Sequence, residues 1–126
     1  MTILAGRYDV TINQGASFEL PVTVKKLDGT AFDLTGYLGR GQIRKYHRSV
    51  DIIISFTVTI TAPPTNGQLT VALTPAQTAT IPGGEIATDD RSTYCYDIEI
   101  YKAGDSVVLR ILEGNAYISP EVTRAP

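Results

Sequence analysis

Two stretches near the start of the chain carry apolar side chains at every second position, and this period of two constrains the fold more than any other feature. The even positions of residues 8–12 and 18–24 hold tyrosine, valine, isoleucine, phenylalanine or leucine. Side chains of a β-strand point alternately to its two faces, so a strand with this pattern buries one face and exposes the other. The chain is therefore predicted to open as antiparallel β-structure.

Turn signals divide the rest of the sequence into further short strands. Asp28-Gly29 and Asn66-Gly67 supply the left-handed backbone angles of tight β connections. Between such signals the sequence predicts strands near residues 41–48, 51–61, 68–73, 94–100, 107–112 and 116–118. Seven to eight short strands at this spacing are typical of a sandwich or barrel. The predicted fold is all-β: an antiparallel β-sandwich, Ig-like or jelly-roll-like, formed by residues 8–119 as a single domain.

One short helix is predicted near residues 75–80. Thr74 is placed as its N-cap, Pro75 takes the first helical position, and Gln77 follows the cap by three residues. At this spacing each of the two polar side chains can accept a hydrogen bond from the backbone N–H of the other residue, and proline suits the first helical turn. Near the end of the chain, Glu113-Gly114-Asn115 is interpreted as a turn between the last two strands.

Net charge and hydropathy argue against two classes of partner, nucleic acid and membrane. The chain has 126 residues and a formal net charge of -2, whereas binding to nucleic acid needs a basic face. The cationic run in residues 40–48 is spread over both faces of an extended strand. No apolar stretch approaches the roughly 20 residues of a membrane-spanning helix, and the first residues resemble no secretory signal. We expect no nucleic-acid or membrane partner, and synthesis in a cytoplasm.

Few residues suited to catalysis or metal binding are present. His47 and Cys95 are the only histidine and cysteine, so they form the one conceivable nucleophile and base, and no motif supplies a third, orienting group. An ordinary zinc site needs four clustered ligands, which one histidine and one cysteine cannot supply. Glu85, Asp89 and Asp90 share a loop, but their spacing matches no EF-hand pattern. The chain is predicted not to be an enzyme and to need no metal ion or cofactor.

Several phrases of the sequence, taken in order, resemble a known group of proteins. They are Tyr8–Phe18, Asp33–Tyr37, Gln42–Arg44, Leu73–Thr78, Tyr94–Glu99, Leu112–Gly114 and Ile118–Arg124. Together they resemble a small β-sandwich domain of tailed-bacteriophage virions, similar to the N-terminal domain of upper baseplate proteins that attach receptor-binding fibres to the tail. The resemblance implies a non-enzymatic structural protein of the tail, baseplate or neck. A fibre adaptor would continue into a fibrous region after Pro126, so a connector or decoration subunit is expected.

The residues expected to contact partners lie in exposed segments and on one strand. The parity of residues 51–61 places Ile52 and Ile54 in the core and leaves Ile53 pointing outward, where a neighbouring subunit would cover it. An N-terminal arm, residues 1–7, and a C-terminal tail, residues 120–126, flank the domain. The candidate interface residues are Ile3, Leu4, Tyr37, Ile53 and Val122.

These residues are expected to bind other phage structural proteins and further copies of the same chain within the virion. The alternative function is a small receptor- or carbohydrate-binding β-module at a virion tip, in which loop tyrosines such as Tyr37 would contact a glycan.

Overall fold

A computed structural model describes residues 6–82 and 92–123. Within these ranges the chain forms eight β-strands, one α-helix and two single-turn 3-10 helices, at Pro64–Asn66 and Ala103–Asp105. The strands are β1 (Gly6–Arg7), β2 (Val10–Asn13), β3 (Phe18–Thr23), β4 (Leu38–Arg44), β5 (Ile54–Ile60), β6 (Gln68–Leu73), β7 (Ser92–Tyr101) and β8 (Val108–Ser119), and the helix is α1 (Pro75–Ala79). The prediction of an all-β fold is confirmed.

The strands form one curled sheet in the order β1-β8-β7-β4-β5-β6-β3, and β2 also pairs with β8. Strand β5 joins the two halves of the sheet, because residues 54–56 pair with β4 and residues 57–60 pair with β6. Strands β1 and β2 run parallel to β8, whereas the other strand pairs are antiparallel. The sheet is therefore mixed rather than wholly antiparallel, and it stays open between β2 and β3.

The connection between β2 and β3 explains why these two consecutive strands do not pair with each other. The backbone N–H of Gly15 donates to Thr78 Oγ1 (3.0 Å), and Gln14 Nε2 donates to the carbonyl of Ile81 (2.9 Å). The turn is thus anchored on α1 and on Ile81 just beyond it, and it carries the chain from the β8 side to the far end of the sheet. A sequence pattern gives the faces of a strand but not its neighbour.

The core lies on the concave side of the curled sheet. Tyr94 and Tyr96 are buried there, as predicted, and they face Ala116 and Gly114 across β7 and β8. Small residues opposite the two tyrosines leave space for the rings. The fully buried side chains of largest volume are Ile12, Leu34, Ile43, Leu69, Ile81, Ile98, Ile100 and Ile118.

Helix α1 has the cap that the sequence predicts. Thr74 Oγ1 accepts a hydrogen bond from the backbone N–H of Gln77 (3.2 Å), and Gln77 Oε1 accepts one from the backbone N–H of Thr74 (2.8 Å). The buried hydroxyl of Thr78 bonds the carbonyl of Ala16 (2.8 Å) as well as that of Pro75 within its own helix. The short helix therefore fixes the start of the chain to its middle.

The predicted turn at Glu113-Gly114-Asn115 is wrong, because these residues lie inside the continuous strand β8. A Cβ atom at Gly114 would collide with the backbone carbonyl of Tyr8. The glycine therefore serves the close approach of two backbone segments and not a reversal of the chain. The register of β7 and β8 shifts between Ile98 and Glu99, so β8 carries an irregularity without a turn.

The predicted orientations of Ile52 and Ile53 are also wrong, whereas Ile54 packs against the core as predicted. Strand β5 begins only at Ile54, and the backbone N–H of Ile53 donates to the carbonyl of Ile43 (2.8 Å). Ile53 is half-buried and packs against the core, whereas Ile52 is 45% exposed. The parity argument failed because it extended the strand through residues that belong to a loop.

Candidate protein interface

The outward side of β4, β7 and β8 carries four rows of side chains that cross the three strands. Because neighbouring residues of a strand point to opposite faces, these rows lie on the side away from the core. From one end of the sheet to the other they are Leu38-Tyr101-Val108, Arg40-Glu99-Arg110, Gln42-Asp97-Glu113 and Arg44-Cys95-Asn115. We call this surface the charged face. An apolar row closes one of its ends, and the middle rows hold most of the charge.

Arg40 balances two carboxylates on the charged face. Its Nε lies 2.7 Å from Glu99 Oε1 and its Nη1 lies 3.3 Å from Asp105 Oδ1. Its guanidinium carbon also lies 4.3 Å from the ring centroid of Tyr101. The hydrogen bond that Arg40 donates to Glu99, followed by those that it donates to Asp105, raises the pKa of Arg40 above its ordinary value. Exposed ion pairs of this kind contribute little to stability, so their main effect is to fix the side chains in place.

Asp97 is less well compensated than its neighbours. Arg110 Nε lies 3.5 Å from Asp97 Oδ2, but Arg110 also contacts Glu113 through Nη1 at 3.2 Å. Burial, followed by the charge of Glu99, raises the pKa of Asp97 above its ordinary value. Around this carboxylate lies a depression of about 370 Å³.

His47 and Cys95 both line the same depression, so the structure brings the one conceivable catalytic pair to a common surface. The thiol is not activated there. Cys95 Sγ donates a weak hydrogen bond to the carbonyl of Arg44 (3.4 Å), and burial raises the pKa of the thiol. A nucleophilic cysteine needs a lowered pKa, which keeps the sulfur as a thiolate. The environment of Cys95 is thus that of a structural residue.

Residues 6–82 and 92–123 contain neither a cluster of metal ligands nor a helix that could span a membrane. These residues contain no group of three or more His, Cys, Asp or Glu side chains that could hold a metal ion. The loop candidates Glu85, Asp89 and Asp90 lie outside the described residues. The helix in this part of the chain is too short to span a bilayer.

Within the connection between β4 and β5, residues 45–52 expose three large apolar side chains. Tyr46, Val50 and Ile52 are 69%, 91% and 45% exposed. Cationic or titratable residues flank them, namely Lys45, His47 and Arg48, against the single carboxylate of Asp51. We call this segment the basic loop.

Arg44 holds the basic loop in one conformation. Its Nη1 donates to the carbonyls of Ser49 (2.6 Å) and Val50 (2.8 Å), and its Nη2 donates to Gln42 Oε1 (2.9 Å). The backbone N–H of Tyr46 donates to Ser49 Oγ (3.0 Å). A loop tied by these bonds presents its apolar side chains in a fixed arrangement, which reduces the entropy lost on binding.

A second concave region lies where the curled sheet is open. This cleft has a volume of about 420 Å³ and is lined by residues 8–11, next to and within β2, and by residues 17–20, next to and within β3. We call it the seam cleft. Phe18 and Leu20 are half-buried apolar residues of its wall, and Asp9 and Glu19 supply carboxylates. The wall that contains Tyr8 is held in place by the core, because the hydroxyl of the buried Tyr96 donates a hydrogen bond to the carbonyl of Tyr8.

The candidate interface residues from the sequence are scattered over the fold. Ile3 and Leu4 lie outside the described residues. Tyr37 is half-buried, with its ring 5.6 Å from that of Phe32 and with Lys102 Nζ 5.0 Å from its centroid. Ile53 packs against the core, and Val122, beyond β8, is 90% exposed.

The sequence reasoning missed Tyr46 and Val50. The signal for them was present, because alternation stops after residue 44 whereas apolar residues continue among cations.

The fold is that of a small all-β domain with an open, mixed sheet. No family model matches the sequence, and no curated protein matches it. Among solved structures, the chain is similar to InlP of Listeria monocytogenes, with 13% sequence identity and a TM-score of 0.44. The similarity covers 94% of this chain and 28% of that chain, so the chain corresponds to less than a third of the length of that protein.

Proposed function

We propose that the protein is a non-enzymatic structural part of a tailed-phage virion, in the tail, baseplate or neck, that acts through contacts with other phage structural proteins and with copies of itself. The resemblance of residues 8–124 to virion β-domains supports the proposal. The structural observation that carries it is the basic loop, in which Tyr46 and Val50 are exposed although Arg44 holds the loop in place. Apolar side chains clustered on a rigid surface are typical of interaction sites.

The chemistry of the described residues fits a binding protein better than a catalyst. Cys95 is held as a thiol, and the carboxylates of the charged face are mostly paired with Arg40 and Arg110. An active site instead keeps groups with a pKa matched to proton transfer in reach of a substrate. On the charged face the pKa of the Asp97 carboxyl is raised, and burial is the main cause.

The proposal includes the finer fold, an Ig-like or jelly-roll-like sandwich. In this description β1, β2, β8, β7 and β4 form one layer, and β6 and β3 form the other, with β5 passing between them. Phe56 of β5 supports it, because its ring centroid lies 6.0 Å from that of Phe18 on β3 and 6.1 Å from that of Tyr96 on β7. One aromatic ring thus contacts side chains from both proposed layers.

The test is to purify particles of the phage whose genome encodes this chain and to quantify the chain in them by mass spectrometry. A structural role predicts a fixed copy number per particle, retained through a density gradient. Antibody-gold labelling would then assign the neck, tail or baseplate. Absence from purified particles would contradict the proposal, and labelling confined to fibre tips together with glycan binding would favour the receptor-binding module.

A further inference from the structure

The basic loop and the seam cleft complement each other in charge, and both carry apolar side chains. The loop joins β4 and β5, exposes apolar side chains and carries the cations Lys45 and Arg48 against the single carboxylate of Asp51. The cleft offers an apolar wall with the carboxylates of Asp9 and Glu19. Among the described residues that line the cleft there is no cation, although Arg7 lies 3.7 Å from Asp9. An apolar, positively charged loop on the molecule thus has an apolar, negatively charged recess to match.

The basic loop and the seam cleft belong to different parts of the curled sheet. In the strand order β1-β8-β7-β4-β5-β6-β3, the basic loop joins the middle strands β4 and β5, and the cleft lies between β2 and β3 at the two ends. The shorter path, from β5 across β6 to β3, spans two strand separations, roughly 10 Å. Tyr46 and Val50 are nevertheless 69% and 91% exposed, and Arg44 holds the loop in that position. The loop therefore does not fill the cleft of its own molecule, and its apolar side chains are free to contact a neighbour.

We infer that the occupant of the seam cleft is the basic loop of a second copy of this chain, so that copies associate head to tail. A contact between two different surfaces of identical subunits closes into a ring or continues as a filament, depending on the rotation between neighbours. The inference deepens the self-association part of the proposed function and rests on it for its biological meaning.

The edge of β3 favours a docked loop over an added β-strand as the occupant. The backbone N–H of Val24 donates to the carbonyl of Gly67 (2.7 Å). The even-numbered residues of β3 therefore turn their backbone N–H and C=O groups towards β6. Hydrogen bonding alternates along an antiparallel strand, so Glu19, Pro21 and Thr23 turn their backbone groups to the free edge. Pro21 has no N–H to donate there, and a proline at a sheet edge disfavours pairing with another strand. Side chains are left to make the contact.

The test uses two variants that each damage one surface. The loop variant carries Tyr46→Ser with Val50→Ser, and the cleft variant carries Glu19→Lys. Leu27→Ser is the matched control, because Leu27 is an apolar residue of similar exposure (70%) that belongs to neither surface. Light scattering and sedimentation of the full chain across a concentration series measure self-association. We expect each variant alone to weaken association by at least about tenfold, since apolar anchors and desolvated charges dominate interface energies.

Mixing the two variants distinguishes a head-to-tail contact from a symmetric one. The loop variant keeps an intact cleft and the cleft variant keeps an intact loop, so an equimolar mixture can form one wild-type contact and no second one. We expect dimers of one copy each and no larger species, while the control assembles like the wild type. A wild-type chain that stays monomeric at high concentration, an equal loss of association in the control, or a mixture that forms no dimer would each overturn the inference. Presence of a monomeric chain in purified virions would reject this contact and leave the proposed function standing, and binding of the loop to anionic vesicles without self-association would also reject it.

Discussion

The hydroxyl of Tyr96, in the middle of β7, donates a hydrogen bond to the backbone carbonyl of Tyr8, which lies 88 positions earlier in the chain. Replacing Tyr96 with phenylalanine keeps the ring in the core and leaves that carbonyl without its donor. We expect Tyr96→Phe to lower the free energy of unfolding by about 1 kcal/mol, the usual net value of such a bond. Urea denaturation measures it, and Tyr46→Phe, at an exposed hydroxyl, serves as the control that should change nothing.

The same tyrosine makes stability fall at alkaline pH. Burial raises the pKa of Tyr96 to about 12, against an ordinary value of 10.0. Between these values the folded chain keeps a proton that the unfolded chain has lost, so stability decreases as pH rises through that window. Melting temperatures followed from pH 9 to 12 should therefore decline less steeply for Tyr96→Phe than for the wild type. Parallel curves for the two proteins would show that another group controls the decline.

A methyl group at position 114 is expected to separate the start of the chain from β8. The Cβ of an alanine would collide with the carbonyl carbon and oxygen of Tyr8, and neither is the end of a flexible side chain. We expect Gly114→Ala to lower the free energy of unfolding by about 1–3 kcal/mol, as overpacking does. At Gly6 an added Cβ would meet its nearest neighbour at an ordinary 3.6 Å, so Gly6→Ala is the matched control. Comparable losses in both variants would contradict the argument.

Removing the charge of Asp97 is expected to stabilise the fold at neutral pH. Its raised pKa means that ionisation is harder in the folded chain than in the unfolded one, so stability falls as pH rises from 3.8 through the folded pKa. Asp97→Asn should raise the melting temperature at pH 7 and lose this advantage near pH 3, where the wild-type carboxyl is protonated too.

Asp33 provides the opposite case. Hydrogen bonds from the side chain and backbone of Thr35 lower its pKa. Ionised Asp33 therefore stabilises the fold above its ordinary pKa, and this stabilisation is lost as pH falls through the lowered pKa of the folded chain. Asp33→Ala should therefore lower the melting temperature at pH 7. A higher melting temperature for Asp33→Ala at pH 7 would contradict the stabilising role of the Asp33 carboxylate. A lower one for Asp97→Asn would contradict the destabilising role of the Asp97 carboxylate.

The buried hydroxyl of Thr78 is expected to contribute more than an exposed one on the same helix. Thr78 Oγ1 accepts from the N–H of Gly15 and shares its proton between the carbonyls of Ala16 and Pro75. Thr78→Val keeps the shape and leaves groups of the β2–β3 turn without partners, which costs about 2 kcal/mol. Thr80, the residue after α1, donates its exposed hydroxyl to the carbonyl of Gln77, and Thr80→Val should cost less. Chemical denaturation of both variants makes the comparison.

Local features of this chain could be predicted where neighbouring residues determine them. The cap formed by Thr74 and Gln77, the limits of β6 and the burial of Tyr94 and Tyr96 follow from spacing and alternation. The role of Gly114 could not be predicted, since its cause is the carbonyl of Tyr8, far away in the sequence. The parallel pairing of β2 with β8 has the same origin, because alternation is identical in parallel and antiparallel edge strands.

The candidate interface was harder to predict than the fold for a related reason. An exposed apolar residue and a buried one look alike in a sequence until the end of the strand is known. Val50 and Ile53 differ in exposure only because the basic loop extends to residue 52 and the chain rejoins β4 through the N–H of Ile53. Arg44, which sets that loop, resembled a member of a solvated basic run until its hydrogen bonds to the carbonyls of Ser49 and Val50 were known.

The pairing of β2 with β8 also dictates the order in which the protein can be completed during translation. Val10 and Ile12 are among the first core residues to be synthesised, yet the strand that covers them ends at Ser119. Contacts between such distant segments slow folding, because a long loop must close before they form. A ribosome that has not yet released residues 108–119 holds a chain with an unfinished sheet. Strands β1 and β2 therefore cannot pair until β8 has been synthesised, and the sheet is completed only when the whole domain has been translated.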